Sequence, residues 1–92
     1  MENKDVMTEN KNEVKIKLSK GYDLDGRIVG EVELREPTVK DVLQAAKTAG
    51  NSSQEERDVI LVSNLCNVPV DFIEKLSFKD YKVISEELKT FL

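Results

Sequence analysis

From Val14 the chain alternates: Val14, Ile16 and Leu18 are apolar, and Lys15, Lys17 and Ser19 between them are polar. Successive side chains of a strand point to opposite faces, so this period predicts a half-buried strand. A second alternating run sets Ile28, Val32 and Leu34 on one face and Glu31, Glu33 and Arg35 on the other. Asp25-Gly26 between the runs signals a hairpin. A two-residue Asp25-Gly26 turn would oppose Leu18 to Glu33 and Ser19 to Val32, mixing apolar with polar. A three-residue loop, Leu24-Asp25-Gly26, with Gly26 left-handed as a bulge, is therefore expected. It pairs Ile16 with Leu34, Leu18 with Val32, Tyr22 with Ile28 and Lys17 with Glu33.

The period changes at Glu36-Pro37-Thr38. Pro37 disfavours helix for Glu36 and so ends the strand. Thr38 is a good N-cap for the amide of Asp41, and Asp41 can reach back to the Thr38 amide, an acidic form of the capping box. Val39, Val42, Leu43, Ala46 and Ala49 then recur at helical spacing and are read as the buried face, with Gly50 as the stop. Ser53 and Glu56 make a second capping box, opening a helix that runs to about Asn67. Its Val59, Ile60, Leu61 and Val62 are consecutive, so it is apolar on more than one face. Either this is the central helix, or the Val59–Ile60 flank meets another chain. After Pro69, Val70 to Leu76 is a short helical stretch with Phe72, Ile73 and Leu76 inward. Ser77 caps Asp80, and the last helix carries Phe78, Tyr81, Ile84, Leu88 and Phe91 at steps of three and four. The fold class is α+β: an N-terminal β-hairpin followed by three to four short α-helices, with residues 13–92 as one domain and residues 1–12, polar throughout save Val6 and Met7, as a flexible tail.

Composition narrows the function. At 92 residues the core is small, and 18 acidic against 14 basic residues give a net charge of −4 with no dense Lys/Arg cluster. Counterion release, the driving term for nucleic-acid binding, is therefore missing. No run approaches the ~20 apolar residues a bilayer requires, and the first residues lack the apolar segment of a signal peptide. A soluble, cytoplasmic protein is expected. Cys66 is the sole cysteine and the chain has no His, so Cys66 reads as a packed thiol without a base to activate it.

The remaining candidates for chemistry are better explained as structure. Asp23-Leu24-Asp25-Gly26 does not have the spacing of a calcium loop. Glu55, Glu56 and Asp58 lie at a helix start, where carboxylates complement the positive end of the dipole. Gly21, Gly26 and Gly30 sit in or beside hairpin turns, not in a phosphate loop. No cofactor, metal or catalytic residue is expected.

The order of these pieces resembles one family. Val32-x-Leu34-Arg35-Glu36-Pro37-Thr38-x-x-Asp41-Val42, then Leu61-x-x-x-Leu65 leading to Val68-Pro69, then Leu76, Asp80-Tyr81, Ile84 and Phe91-Leu92, is similar to the phage tail assembly chaperones of the tail protein E type. The resemblance implies a non-enzymatic protein of the host cell cytoplasm that binds the long, helical tape measure protein, with other tail proteins or further copies of itself as additional partners. It implies Gly26, Pro37, Thr38, Asp41, Asp80 and Tyr81 as structural motif residues. Val59 and Ile60, with an exposed hairpin edge, are the expected partner-binding surface. A small tail or connector component retained in the virion is the alternative.

Overall fold

Two strands and four helices follow one another along residues 13–92, the part of the chain that the computed structural model describes. The tail expected over residues 1–12 lies outside the described residues. Strands β1 (Glu13–Leu24) and β2 (Arg27–Arg35) pair antiparallel in a two-stranded sheet. Helices α1 (Val39–Ala49), α2 (Gln54–Cys66), α3 (Val70–Lys75) and α4 (Phe78–Thr90) complete an α+β fold, a hairpin followed by helices as the hydrophobic pattern predicts.

The hairpin register departs from the expected one. Leu24 pairs with Arg27, so the turn holds two residues, and Asp25 (φ 52°) and Gly26 (φ 86°) are both left-handed. This is the type I′ geometry that Asp-Gly favours, and its twist matches that of the strands. The apolar mismatch is resolved further along. Lys17 pairs with Glu31 and Tyr22 with Val29, so Leu18 to Gly21 on β1 are opposed by Gly30 alone on β2. Beyond this bulge Ile16 faces Val32, Val14 faces Leu34 and Lys15 faces Glu33, in place of the expected Ile16–Leu34, Leu18–Val32 and Lys17–Glu33 pairs. The bulge also turns β2. Val29 packs against the core while Ile28 is 72% exposed, so the inward positions change parity across Gly30. A Cβ at Gly21 would collide with Cγ2 of Ile28, which is why the bulge ends on a glycine.

The core lies between the inner face of the hairpin and the helices. Its fully buried side chains are Leu34, Val62, Phe72 and Ile84, one each from β2, α2, α3 and α4. α2 is central: it packs against α1, α3 and β2, while α3 and α4 pack against β1. Tyr22 and Phe72 meet edge to face with centroids 6.2 Å apart, and Lys75 Nζ donates to the Asp23 carbonyl at 2.6 Å, so both body and border of α3 are fixed to β1.

The docked face of α1 shares only Ala49 with the expected one. Ala45 and Ala49, one turn apart, are its buried residues, and Val39 (76%), Leu43 (64%), Val42 and Ala46 are exposed. Two overlapping stripes run along this helix, and periodicity does not distinguish them. The alanine stripe lets the α1 backbone approach α2 closely, and so the larger residues are left in solvent.

Candidate functional site

The first turn of α4 is tied to the bulge of β1. Ser77 caps the helix, its hydroxyl accepting the Asp80 amide at 3.1 Å. The Asp80 carboxylate, buried with 4% exposure, points back to β1. It accepts the Ser19 amide at 3.0 and 3.2 Å, the Ser19 hydroxyl at 2.9 Å and the Tyr22 hydroxyl at 2.7 Å. Tyr22 Oη in turn accepts the Ser77 amide at 3.1 Å. The Tyr22 hydrogen bond, followed by those of Ser19 and Ser77, holds the Asp80 carboxyl below the usual carboxylate range against the cost of burial. Ser19 lies in the bulge, outside the paired ladder, and its amide is taken by the Asp80 carboxylate instead.

Two adjoining clefts open on α2 and α3, one closed by the end of α1 and the other by α4. One, of about 240 Å³, runs from Ala49 past Val59 and Ile60 to Val70. The other, of about 440 Å³, runs from Val59 past Ile73 and Leu76 to Phe78 and Tyr81. They share Glu55, Val59 and Glu74 and so form one groove. Its floor is apolar, its rim carries Glu55, Glu56, Asp58 and Glu74, and among the described residues no Lys or Arg lines either cleft. Phe78, 75% exposed, stands at its mouth, although helical periodicity placed this residue in the inward stripe. Phe78 is the first residue of α4, where the chain turns away from the core. Burial and the nearby Asp58 charge both push the Tyr81 hydroxyl up from its ordinary value.

Val59 and Ile60 are half-buried: they pack against the core from the base of the groove. α2 is thus central and still presents that flank to an open cleft. The other motif residues serve the frame. Pro37 and Thr38 join β2 to α1, where Thr38 Oγ1 accepts the Asp41 amide at 3.2 Å and Asp41 accepts the Thr38 amide at 2.8 Å, the complete capping box. Arg35 grips the same carboxylate at 2.7 and 3.1 Å, and this pairing, with the Thr38 bonds, holds Asp41 well below the usual carboxylate range. Ser53 and Glu56 form the second box.

Cys66 is buried, and desolvation pushes its thiol up to about 11, away from the nucleophilic thiolate. Glu55, Glu56 and Asp58 do not gather around a point: among the described residues, no group of three or more His, Cys, Asp or Glu side chains is placed to hold a metal ion. Also among the described residues, no helix is long and apolar enough to cross a membrane. Sequence reasoning missed the carboxylate rim as a rim, because Glu74 joins Glu55 only through the packing of α3 on α2. It also missed the exposed α1 stripe.

Compared with known protein families, the chain matches the one described as "Phage tail assembly chaperone proteins, E, or 41 or 14" over residues 15–92. No curated protein and no solved structure matches it. The matched span begins two residues into β1 and takes in the rest of that strand, β2 and all four helices. The chain belongs to the family of phage tail assembly chaperone proteins.

Proposed function

We propose that this protein binds a helical segment of the tape measure protein during tail assembly, and that the groove around Val59 and Ile60 receives it. The observation that carries this reading is an apolar floor, open along α2 and ending at the exposed Phe78, in a chain of a chaperone family. An apolar groove between helices is a common seat for the apolar stripe of a partner helix. The role is non-enzymatic: the chain supplies binding surface and keeps its client from aggregating. Among the described residues each strand of the hairpin has one sheet neighbour, and the outer edges offer backbone groups to an extended stretch of the same client. The host cell cytoplasm, where tails are built, is the proposed location.

Co-expression with the tape measure protein and capture from the lysate tests this reading. Changing Val59 and Ile60 together to Asp should abolish capture. Both side chains also touch the core, so thermal melting is followed in parallel. Phe78→Ala, which removes an exposed ring, should weaken capture with the melt unchanged. Capture of the tape measure protein at wild-type level by a folded Phe78→Ala variant and a folded double variant would exclude the groove.

The exposed α1 stripe of Val39, Val42 and Leu43 supports a second reading, a tail component retained in the particle, because a lasting subunit contact needs such a surface. Stoichiometric recovery of the protein in purified virions would establish that reading in place of a transient chaperone.

A further inference from the structure

We infer that the occupant of the groove is an amphipathic helix with basic residues along both borders of its apolar stripe. The inference rests on the reading of this groove as the client site and adds the chemistry of the client. Among the described residues, four carboxylates, those of Glu55, Glu56, Asp58 and Glu74, line the two clefts, and no basic side chain does. Glu56 is engaged by the Ser53 amide and Asp58 by the Gln54 side chain through one carboxylate oxygen each. Among the described residues, the ion pairs are Arg35–Asp41 and Lys89–Glu86, and neither lies at the groove. Lys75, adjacent to Glu74 in sequence, is directed to the Asp23 carbonyl instead.

This arrangement selects by charge. A helix that laid acidic or neutral borders against the rim would bury part of the carboxylates' hydration without replacing it. Lys or Arg stems instead cover the apolar lip while their heads meet the carboxylates. Unlike charges also speed encounter and exclude wrong partners. The two borders are served separately: Glu55, Glu56 and Asp58 stand on α2, and Glu74 stands on α3. A client helix seated between them therefore needs cations on both sides of its stripe, and that distinguishes it from a helix charged on its outer face only.

Fluorescence anisotropy with the full chain tests this. Three peptides of about 18 residues, or five turns, share one Leu stripe at i, i+3, i+4 and i+7 and carry Lys, Gln or Glu along its borders. The Lys peptide should bind roughly tenfold more tightly than the Gln peptide at low salt, as several modest ion pairs together would give. The preference should collapse near ~1 M salt, where the screening length falls to about 3 Å. Glu55→Gln combined with Glu74→Gln, both exposed positions, should remove most of the preference for the Lys peptide over the Gln peptide while the chain stays folded. Equal binding of the Lys and Gln peptides, both weakened by Phe78→Ala, would overturn the basic-border inference while the groove stands. Binding of none of the three would overturn the groove reading together with it. A Lys preference that survives the double Gln variant would show general attraction to an acidic chain and would also overturn the inference.

Discussion

Replacing Asp80 by Asn should destabilise the fold by about 3 kcal/mol, given the hydrogen bonds that its carboxylate accepts. With the amide oxygen in the Oδ2 position, the bonds from Tyr22 Oη and Ser19 Oγ survive as neutral ones. Each loses on the order of 1 kcal/mol of charge assistance. The amide nitrogen then takes the Oδ1 position, 3.0 Å from the Ser19 amide, donor against donor. The Ser19 amide keeps only its 3.2 Å bond to the Oδ2 position, and loss of the shorter bond costs on the order of 1 kcal/mol more. A chain of this size has roughly 5–14 kcal/mol to lose, so the variant should remain folded but with its urea midpoint lowered by about 2–3 M, for a slope near 1 kcal/mol/M. Tyr22→Phe also removes the acceptor of the Ser77 amide, and a double-mutant cycle between the two positions should give a coupling on the order of 1 kcal/mol. The pH dependence carries the opposite sign to that of a buried neutral acid. Because the folded carboxyl titrates below the unfolded one, its contribution is present above the usual carboxylate range and is lost as pH falls through the lowered folded value. Wild-type stability should therefore decline more steeply in acid than that of Asp80→Asn. An unchanged urea midpoint, with the same acid profile in both proteins, would refute the pinning of bulge to helix.

Thr38→Ala should cost about 1 kcal/mol by removing the α1 cap, read as a shift in urea midpoint, and should leave tape measure capture intact. Gly26→Val should cost about 1–2 kcal/mol because a β-branched residue resists φ of 86°, whereas Asp25→Gly should be close to neutral or stabilising; equal losses at the two positions would contradict the type I′ turn. Cys66 should resist alkylation in the native protein at pH 8 and react at the rate of unfolding, since its thiol is buried and pushed up to about 11; rapid labelling of the folded chain would contradict its burial.

The local grammar of this chain was legible in its sequence. Pro37 and Thr38 mark the strand-to-helix joint, Ser53 and Ser77 the starts of α2 and α4, and Asp25-Gly26 the hairpin, because caps and turns are made within a few residues of one another. The α+β order followed from the change of period at Pro37. What the residues could not decide alone is which of two acceptable local solutions the rest of the molecule selects. The register involves a carboxylate far along the chain: Asp80 accepts the Ser19 amide within the β1 bulge, and the bulge reconciles the two-residue turn with the apolar pairs beyond it while Ile28 faces solvent. The docked side of α1 depended on α2, which admits Ala45 and Ala49 at close range and leaves Val39 and Leu43 outside. The groove too is a product of packing. Val59 and Ile60 were visible as a surplus apolar flank, but their cleft, its acidic rim and the exposed Phe78 exist only once α3 and α4 are set against α2. Short-range hydrogen bonding is written residue by residue, whereas the choice among faces and registers is made by the long-range contacts that bury them.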